Sequence, residues 1–340
     1  MRFGYGLITC QRPPDDPRSH ADLYREAVLR CETAERSGFD SVWVSEHHFV
    51  DDGYMPSLLV LAAAIAQATE RVQIGTGILL APLHDPLRVA EDAATVDLIS
   101  GGRLILGLGA GWRNEEFEVF GVDQAARTGR VRETVNVLRG AWGPGAFSFN
   151  GNHYSFKDAN VTPKPTKPIP IWLGGFAPGA IRRAGRIADG FLGSSTGTSG
   201  LAAFAQAKQI ALEGRTKAGG DPSSFAFALH VPVYVSSGSD PWEEIKPHYR
   251  YLRWKYADMG QASGSSQATS PPPLDAEQEA QLRSTIIYGD AEHVASEIAA
   301  FRDELGDDIH FIFRSDFPGL GSDEQFALIE RIGSQVIPLL

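Results

Sequence analysis

Residues 70–112 read ERVQIGTGILLAPLHDPLRVAEDAATVDLISGGRLILGLGAGW, which is an apolar run, an amphipathic stretch and a second apolar run in succession. The pattern predicts a strand over Val72–Leu79, a helix over Leu87–Ile99 and a strand over Leu104–Leu108. Two consecutive strands joined through a helix run parallel, because a parallel pair needs a crossover connection. The stretch therefore predicts one βαβ unit of a parallel sheet.

The same strand-then-helix rhythm extends in both directions from this unit. Further strands are predicted at Phe3–Ile8, Ser41–Ser45, Ile169–Leu173, Gly190–Gly193, Phe225–Val235 and Ile309–Arg314. Further helices are predicted at Ser19–Ser37, Pro56–Thr69, Arg127–Trp142, Gly179–Ile187, Ala202–Ala218, Ala291–Leu305 and Ser322–Val336. A run of eight such units closes into a barrel, so we expect a single α/β domain over residues 1–340, a (β/α)₈ TIM barrel.

Two insertions interrupt the rhythm, one after the fourth strand and one after the seventh. In residues 143–168, the pair Asn150-Gly151 lies between aromatic runs, and this predicts a β-hairpin. Residues 260–273 read GQASGSSQATSPPP, and their Gly, Ser and Pro content predicts a mobile loop over 255–283. Its position allows either a lid over the barrel mouth or an insertion without a role.

The composition excludes several classes of partner. The chain carries 31 Lys and Arg against 42 Asp and Glu, a formal net charge of −11, which argues against nucleic acid and anionic membranes. The N-terminus, MRFGYGLITC, lacks the features of a secretory signal, and no apolar run reaches the roughly 18 residues of a membrane span. We expect a cytoplasmic protein that acts on a small molecule.

The best acid–base candidate follows the second predicted strand, because barrel enzymes carry their active sites at the C-terminal ends of the strands. There the sequence reads Glu46-His47-His48-Phe49, and an imidazole exchanges protons near neutral pH. Spacing alone equally allows two loop histidines without chemistry. A metal site needs a third ligand, and we expect no metal because the other candidates lie in unrelated contexts: His20, His84, His153 and His230.

Glycine-rich segments follow the fourth and fifth predicted strands. Gly174–Ala180 runs from a strand into a helix, so its free N–H groups and the helix dipole favour a phosphate, although a plain strand–helix turn also favours glycine. Gly107–Gly111 lacks the G-x-G-x-x-G spacing of a dinucleotide fingerprint. We interpret its glycines as close-packed backbone that lines a ligand.

Four stretches in this order resemble the luciferase-like monooxygenases, a family of flavin-dependent barrel enzymes. They are SGFDSVWVSEHHF at 37–49, the stretch 70–112, EEFEVFG at 115–121 and NVTPKPTKPIPIWLGGFAPGAIRRAGRIADGF at 160–191. The combination is far more specific than any one piece. The resemblance implies a reduced flavin, normally FMN, that a separate flavin reductase supplies and that reacts with O₂ to oxidise a small organic substrate.

The resemblance also implies roles for particular residues. His47 matches the family's proton-handling histidine, and the Gly77–Ile78 peptide matches a non-prolyl cis bond behind the flavin ring. The cofactor-binding residues would be Thr76, Gly77, Ile78, Gly109, Ala110, Gly111, Gly174, Gly175, Phe176, Ala177 and Ala180. The substrate pocket would include Tyr5, Trp43, His48, Trp112 and Ser195.

Departures from the family pattern keep alternatives open. Luciferase has a cysteine and an arginine where this chain has Gly109 and Ala110, and a tryptophan where it has Ser195, so we do not expect light emission. Members that use the deazaflavin coenzyme F-420 share the pattern of Gly107–Trp112, which leaves hydride transfer without O₂ as an alternative. A flavin-binding protein without turnover is a second one. The resemblance further implies a homodimer, formed through the second and third helices.

Overall fold

Parallel strands close into a barrel in which the first strand pairs with the last. The structure is a computed structural model, and it describes residues 1–260 and 269–340. The barrel strands, in spatial order, are β1 (Arg2–Ile8), β2 (Ser41–Val44), β3 (Gln73–Thr76) with its continuation β4 (Leu79–Leu80), β5 (Leu104–Gly109), β8 (Ile171–Gly174), β9 (Gly190–Ser194), β10 (Ala226–Val235) and β12 (Ile309–Arg314). The predicted TIM barrel is confirmed, and every predicted barrel strand overlaps an observed one.

Helices cover the outside of the barrel and follow the predicted order. They are α1 (His20–Arg36), α2 (Leu58–Ala68), α3 (Pro86–Ser100), α4 (Asn114–Val119), α5 (Arg127–Trp142), α6 (Pro178–Ile187), α7 (Leu201–Lys217), α8 (Pro241–Met259), α9 (Ala276–Arg283), α10 (Ala291–Leu305) and α11 (Ser322–Arg331). Local chemistry fixes their ends, since Ser19 and Asp22 form a capping box on α1 and the Asp85 carboxylate accepts from two N–H groups of α3. In the described ranges, no helix is both long and apolar enough to cross a membrane.

The third barrel strand is interrupted where the sequence reads Gly77-Ile78. The peptide bond between these residues is cis, as the family resemblance predicts. Thr76 precedes the break, and its hydroxyl accepts from the Gly107 N–H and donates to the Gly107 carbonyl, both at 2.8 Å. The side chain of Thr76 is thus used to join β3 to β5.

The two insertions differ in how well the sequence predicts them. The first is the expected hairpin, built from β6 (Phe147–Asn150) and β7 (Ser155–Ala159), which pair antiparallel. The second is largely helical, because α8 ends only at Met259, α9 fills Ala276–Arg283, and the short strand β11 (Ile287–Gly289) pairs with β10. The loop prediction for 255–259 and 276–283 is therefore wrong, and its part at 261–268 lies outside the described residues.

A buried apolar face explains why α8 forms. Trp242, Ile245, Tyr249 and Leu252 recur at helical spacing, and all four are buried against the core. Pro247 inside the helix and the many charged residues of this segment obscure that periodicity in the sequence. The packed face outweighs the cost of the proline.

Two indole rings fill the barrel interior. Trp43 stacks on Trp172 with ring centroids 5.5 Å apart, and both belong to an interior cluster with Leu7, Ile105, Leu192, Ala228 and Ile312. Trp43 is fully buried, so the prediction that it lines the substrate pocket is wrong. The alternation of strand residues directs it into the barrel core below the mouth.

Tyr5 also lies elsewhere than predicted. On β1 the glycines at 4 and 6 face the barrel interior, so the residue between them points outward. Tyr5 packs against Phe39, its hydroxyl donates to Asp316 at 3.4 Å, and it accepts from Gln325 at 3.2 Å. It belongs to the layer between barrel and helices and does not reach the pocket.

Substitution of Gly75 on β3 tests how tightly the barrel interior is packed. A Cβ at this position would lie 2.2 Å from the Trp43 ring, whereas a Cβ at Gly179, on the first turn of α6, would meet nothing within 4 Å. We expect Gly75→Ala to reduce the free energy of unfolding by about 1–3 kcal/mol, because the ring has to move within a filled core. Gly179→Ala should be neutral or stabilising. Urea unfolding midpoints measure both, and equal stability of the two variants would contradict this account of the core.

Candidate active site

The barrel mouth contains a buried histidine–carboxylate pair. His47 follows β2 in an extended, buried segment, and its N–H donates to the Met55 carbonyl at 3.3 Å. The Nδ1 atom of His47 lies 2.8 Å from Oε1 of Glu116, which is on α4 and fully buried. Oε1 of Glu116 also accepts from the His48 N–H at 2.9 Å. The carboxylate therefore fixes both the ring and the backbone of the motif.

This pairing determines which nitrogen of His47 carries a proton. An ionised carboxylate only accepts hydrogen bonds, so Nδ1 of His47 is the donor and Nε2 is left as the exchangeable position. Among the residues that the structure describes, none forms a hydrogen bond with Nε2. Glu116 was not among the residues predicted for the site, although it lies in the stretch EEFEVFG. Its position on the helix after the fourth barrel strand, near the predicted mouth, was the feature that could have indicated a carboxylate partner for His47.

Aromatic rings surround His47. Tyr54, Trp112 and Tyr256 contact its ring edge-on, with centroids 4.9, 5.5 and 5.9 Å away. The hydroxyls of Tyr54 and Tyr256 lie 2.6 Å apart, and that of Tyr54 donates to Oγ of Ser45 at 3.0 Å. Burial raises the pKa of Tyr54, so its hydroxyl stays protonated. Trp112 is placed at the mouth as predicted, and Tyr256 comes from α8, within the segment predicted as a loop.

Arg113 holds the end of the EHHF motif in place. Its buried guanidinium donates to the carbonyls of His48 and Phe49, the latter at 3.3 Å, and it also contacts Glu115. Phe49 has a left-handed backbone with φ of 56°, a conformation that bulky residues rarely adopt. We infer that the hydrogen bonds from Arg113 stabilise this unusual turn and with it the position of His47.

His48 turns away from the mouth, so the prediction that it contacts substrate is wrong. Its ring packs edge-on against Phe120 with centroids 4.9 Å apart. Its Nε2 lies 3.6 Å from Oε1 of Glu46. His48 and Glu46 share one side of the segment, whereas His47, between them, points to the opposite side.

The expectation that His84 lies in an unrelated context is also wrong. Oε1 of Glu46 accepts from Nε2 of His84 at 2.9 Å and from the Leu80 N–H at 2.8 Å. One ligand atom from each of Glu46, His48 and His84 lies within 4.8 Å of the others, a spacing that a metal ion can bridge. Burial alone would raise the pKa of Glu46, but contacts with His48, His84 and Leu80 lower it to about 2. The cluster joins the end of β2 to the segment after β4.

The predicted phosphate cradle has the expected local geometry. The backbone N–H groups of Gly175, Phe176 and Ala177 donate to no residue among those described, and they precede the ten-residue helix α6. A Cβ at Gly175 would lie 2.7 Å from Cβ of Ala180, so only glycine allows the chain to pass this close to the helix. Unpaired N–H groups at a helix N-terminus suit a phosphate, so these residues fit the phosphate of a flavin cofactor.

The remaining predicted residues lie near the same strand ends. Gly109 ends β5, where a Cβ would lie 1.7 Å from the Ile78 side chain, and Gly111 has φ of 71° two residues later, after Ala110. These glycines allow close packing against the third barrel strand. Ser195 is buried after β9, and its hydroxyl donates to the Gly197 carbonyl at 2.8 Å. The Ser195 hydroxyl therefore stabilises the turn at 195–197, and its hydrogen bond does not support the prediction that Ser195 contacts substrate.

The chain matches the model of a known protein family over most of its length. The family model described as luciferase-like monooxygenase matches residues 1–308. The chain belongs to the luciferase-like monooxygenase family. The resemblance inferred from the sequence is thereby confirmed.

Relatives of this luciferase-like protein use different cofactors. It is 30% identical over 322 residues, 90% of each chain, to the F420-dependent glucose-6-phosphate dehydrogenase of Kineococcus radiotolerans. It is 32% identical over 177 residues, 51% of this chain and 48% of the relative, to the oxygenase component of the flavin-dependent trigonelline monooxygenase of Acinetobacter baylyi. In this and several other matches, the chain spans about half the length of the curated relative.

Solved structures share the fold of the luciferase-like chain. A monooxygenase from Streptomyces bottropensis superimposes with a TM-score of 0.84 at 21% identity, and the match covers 99% of both chains. At this identity the likeness concerns the fold. Together with the family match, it establishes a luciferase-like oxidoreductase barrel.

Proposed function

We propose that the protein is a monooxygenase that uses reduced FMN and O₂ to oxidise a small organic substrate. The observation that carries the proposal is the buried His47–Glu116 pair, whose free Nε2 lies among aromatic rings at the barrel mouth. When bound, reduced flavin supplies the electrons for the reaction with O₂. The chain itself would bind cofactor and substrate, exclude bulk water from the reacting groups, and hold or release a proton at His47.

Glu116 prepares His47 for proton transfer. Because the carboxylate accepts from Nδ1 at 2.8 Å, a proton taken up at Nε2 creates an imidazolium that Glu116 stabilises directly. The edge-on rings of Tyr54, Trp112 and Tyr256 limit the access of water to this nitrogen. The Glu116 carboxylate thus balances the positive charge that develops on the His47 ring in the transition state, and it is already in place before the reaction begins.

The cofactor would be held along the adjoining strand ends. The free N–H groups of residues 175–177 suit its phosphate, and the cis peptide at Gly77–Ile78 with the glycines of β5 would line its ring. The other cofactor positions, Thr76 and Ala110, adjoin these segments. The printed name of the trigonelline relative, an oxygenase component, supports a separate reductase as the source of reduced flavin.

A second candidate function is hydride transfer with the deazaflavin coenzyme F-420. It is favoured by the match to the Kineococcus dehydrogenase, which extends over 90% of both chains. The His47–Glu116 pair suits this reaction as well, because it also requires a group that exchanges a proton with the substrate.

We also propose a homodimer formed through α2 and α3. These neighbouring helices expose apolar side chains, since Val60 is 72% exposed and Leu98 and Ile99 are 37% and 44% exposed. Exposed apolar residues on two adjacent helices are typical of a contact surface.

Anaerobic titration with reduced FMN and with reduced F-420, followed by absorption, tests the cofactor. We expect FMN to bind, and we expect Ala177→Asp to weaken its binding by about tenfold or more, because a carboxylate at Ala177, the N-cap of α6, repels the phosphate. The same aspartate is a good helix cap, so the melting temperature should not fall. Tight binding of F-420 alone would replace the FMN proposal by the second candidate, and binding of neither would contradict both.

His47→Gln should lower kcat/KM by about 10²–10⁴-fold, because the general acid–base group is lost. Glu116→Gln should cause a smaller loss, since the ring remains while its charge partner is removed. The matched control is His293→Gln on the exposed face of α10, which should leave turnover unchanged. Full activity of His47→Gln with an identified substrate would remove His47 from the mechanism.

Sedimentation velocity tests the dimer. We expect the wild-type chain to sediment as a dimer and Val60→Glu as a monomer, because a charge in an apolar contact is costly. Leu339→Glu places the same change at another exposed apolar residue and should stay dimeric. A monomeric wild-type chain would refute the proposed interface.

A further inference from the structure

The last barrel strand ends in a cation that faces the mouth. On β12, Phe311 and Phe313 belong to the outer core, whereas Ile312 belongs to the interior cluster. Strand residues alternate between the two faces, so Arg314 points inward like Ile312. Arg314 is the final residue of β12 and only 8% exposed, which places its guanidinium in the top layer of the barrel.

The guanidinium of Arg314 has no acidic partner among the described residues. Its Nη2 is buried without a hydrogen bond, and its main contact is the ring of Tyr256, with Cζ 4.8 Å from the ring centroid. The remaining residues, 261–268, read QASGSSQA and contain no carboxylate. By contrast, the buried cations Arg30 and Lys255 contact Asp316 at 3.0 Å and Asp51 at 2.6 Å. A buried charge without a counter-charge costs folding free energy, so the burial of Arg314 indicates that an anionic ligand completes its environment.

A second unpaired polar group lies beside Arg314. His230 is on the neighbouring strand β10, two residues beyond the inward-facing Ala228, and its Nδ1 is buried without a hydrogen bond to any described residue. Burial and the positive charge of Arg314 lower the pKa of His230 to about 3, so its ring is neutral. A neutral imidazole offers one N–H donor next to the guanidinium.

Tyr256 links this pair to the proposed reaction centre. Its ring contacts Arg314 on one side and lies 5.9 Å from the His47 ring, measured between centroids. The phosphate cradle at 175–177 follows β8, which is three strands away from β12 around the barrel. Arg314 therefore faces the space next to His47, and the cofactor phosphate would lie elsewhere.

We propose that Arg314 and His230 bind a carboxylate of the substrate, and that the protein acts on small carboxylates with an apolar, aromatic-compatible body. The proposal rests on the proposed function, which makes the space beside His47 the substrate site. Guanidinium matches a carboxylate with two parallel N–H donors, and the anion supplies the counter-charge that residues 1–260 and 269–340 do not place beside Arg314. The apolar body lies against Tyr256 and Trp112, with its reacting carbon toward Nε2 of His47.

Calorimetric titration of the full chain with matched acids and amides tests the binding site. The probes are benzoate and phenylacetate against benzamide and phenylacetamide. We expect the wild-type chain to bind at least one acid about tenfold or more tightly than its amide, and Arg314→Gln to lose that preference. Arg314→Lys keeps the charge without the paired donors and should retain part of it. Arg25→Gln, at an exposed position of α1, is the control and should bind like the wild type.

Melting temperature and cofactor titration on the same variants separate the possible causes. We expect Arg314→Gln to melt no lower than the wild type, since it removes an uncompensated buried charge, and to bind the cofactor normally. Equal affinity for acid and amide in the wild type, no binding of either acid, or an unchanged preference in Arg314→Gln overturns the proposal. Loss of cofactor binding in Arg314→Gln also overturns it, because Arg314 would then serve the cofactor. Failure of the cofactor proposal leaves the acid–amide comparison intact, so the two failures are distinguishable.

Discussion

Trp43 and Trp172 stack inside the barrel, and the strands around them are glycine where any side chain would collide with the rings, as at Gly75 and Gly190. This filling makes the interior a packed core, so no ligand can enter below it. Chemistry is confined to the ends of the strands, where side chains from separate segments meet above the indoles. The positions of His47, Glu116 and Arg314 all follow from this constraint.

The mouth separates its charges. Glu116 accepts a hydrogen bond from Nδ1 of His47, while Glu46 accepts hydrogen bonds from His84 and the Leu80 N–H. Both carboxylates thus contact histidines, whereas Arg314 at the end of β12 lacks an acidic partner among the described residues. The mouth thus holds a hydrogen-bonded histidine–carboxylate pair and a cation without a described acidic partner, an arrangement that suits the proposed anionic ligand beside the proposed proton-exchanging residue.

The sequence predicts what depends on local periodicity, and it misses what depends on distant segments. The strand–helix rhythm gives the barrel, and the resemblance gives the cis peptide at Gly77–Ile78. Tyr5 is assigned wrongly because its strand position faces outward, and aromatic character alone does not reveal which side a strand residue faces. Trp43 does face inward, but it lies in the filled barrel core below the mouth. Glu116, Tyr256 and Arg314 come from three separate elements, so nothing near any one of them in the chain indicates that Glu116 and Tyr256 contact His47 or that Arg314 contacts Tyr256.

The insertion after the seventh strand has a larger role than its composition implies. Helix α8 delivers Tyr256, whose ring touches both His47 and Arg314 and whose hydroxyl meets that of Tyr54. The Tyr256 ring, which would limit the access of water to Nε2 of His47, therefore also packs against the Arg314 guanidinium. A shift of α8 would change both contacts at once, because the same rigid ring makes both. In the proposed reaction, recognition of the substrate and protection of the reacting groups would therefore both depend on Tyr256, and a barrel with a different insertion at this place would have to arrange the two independently.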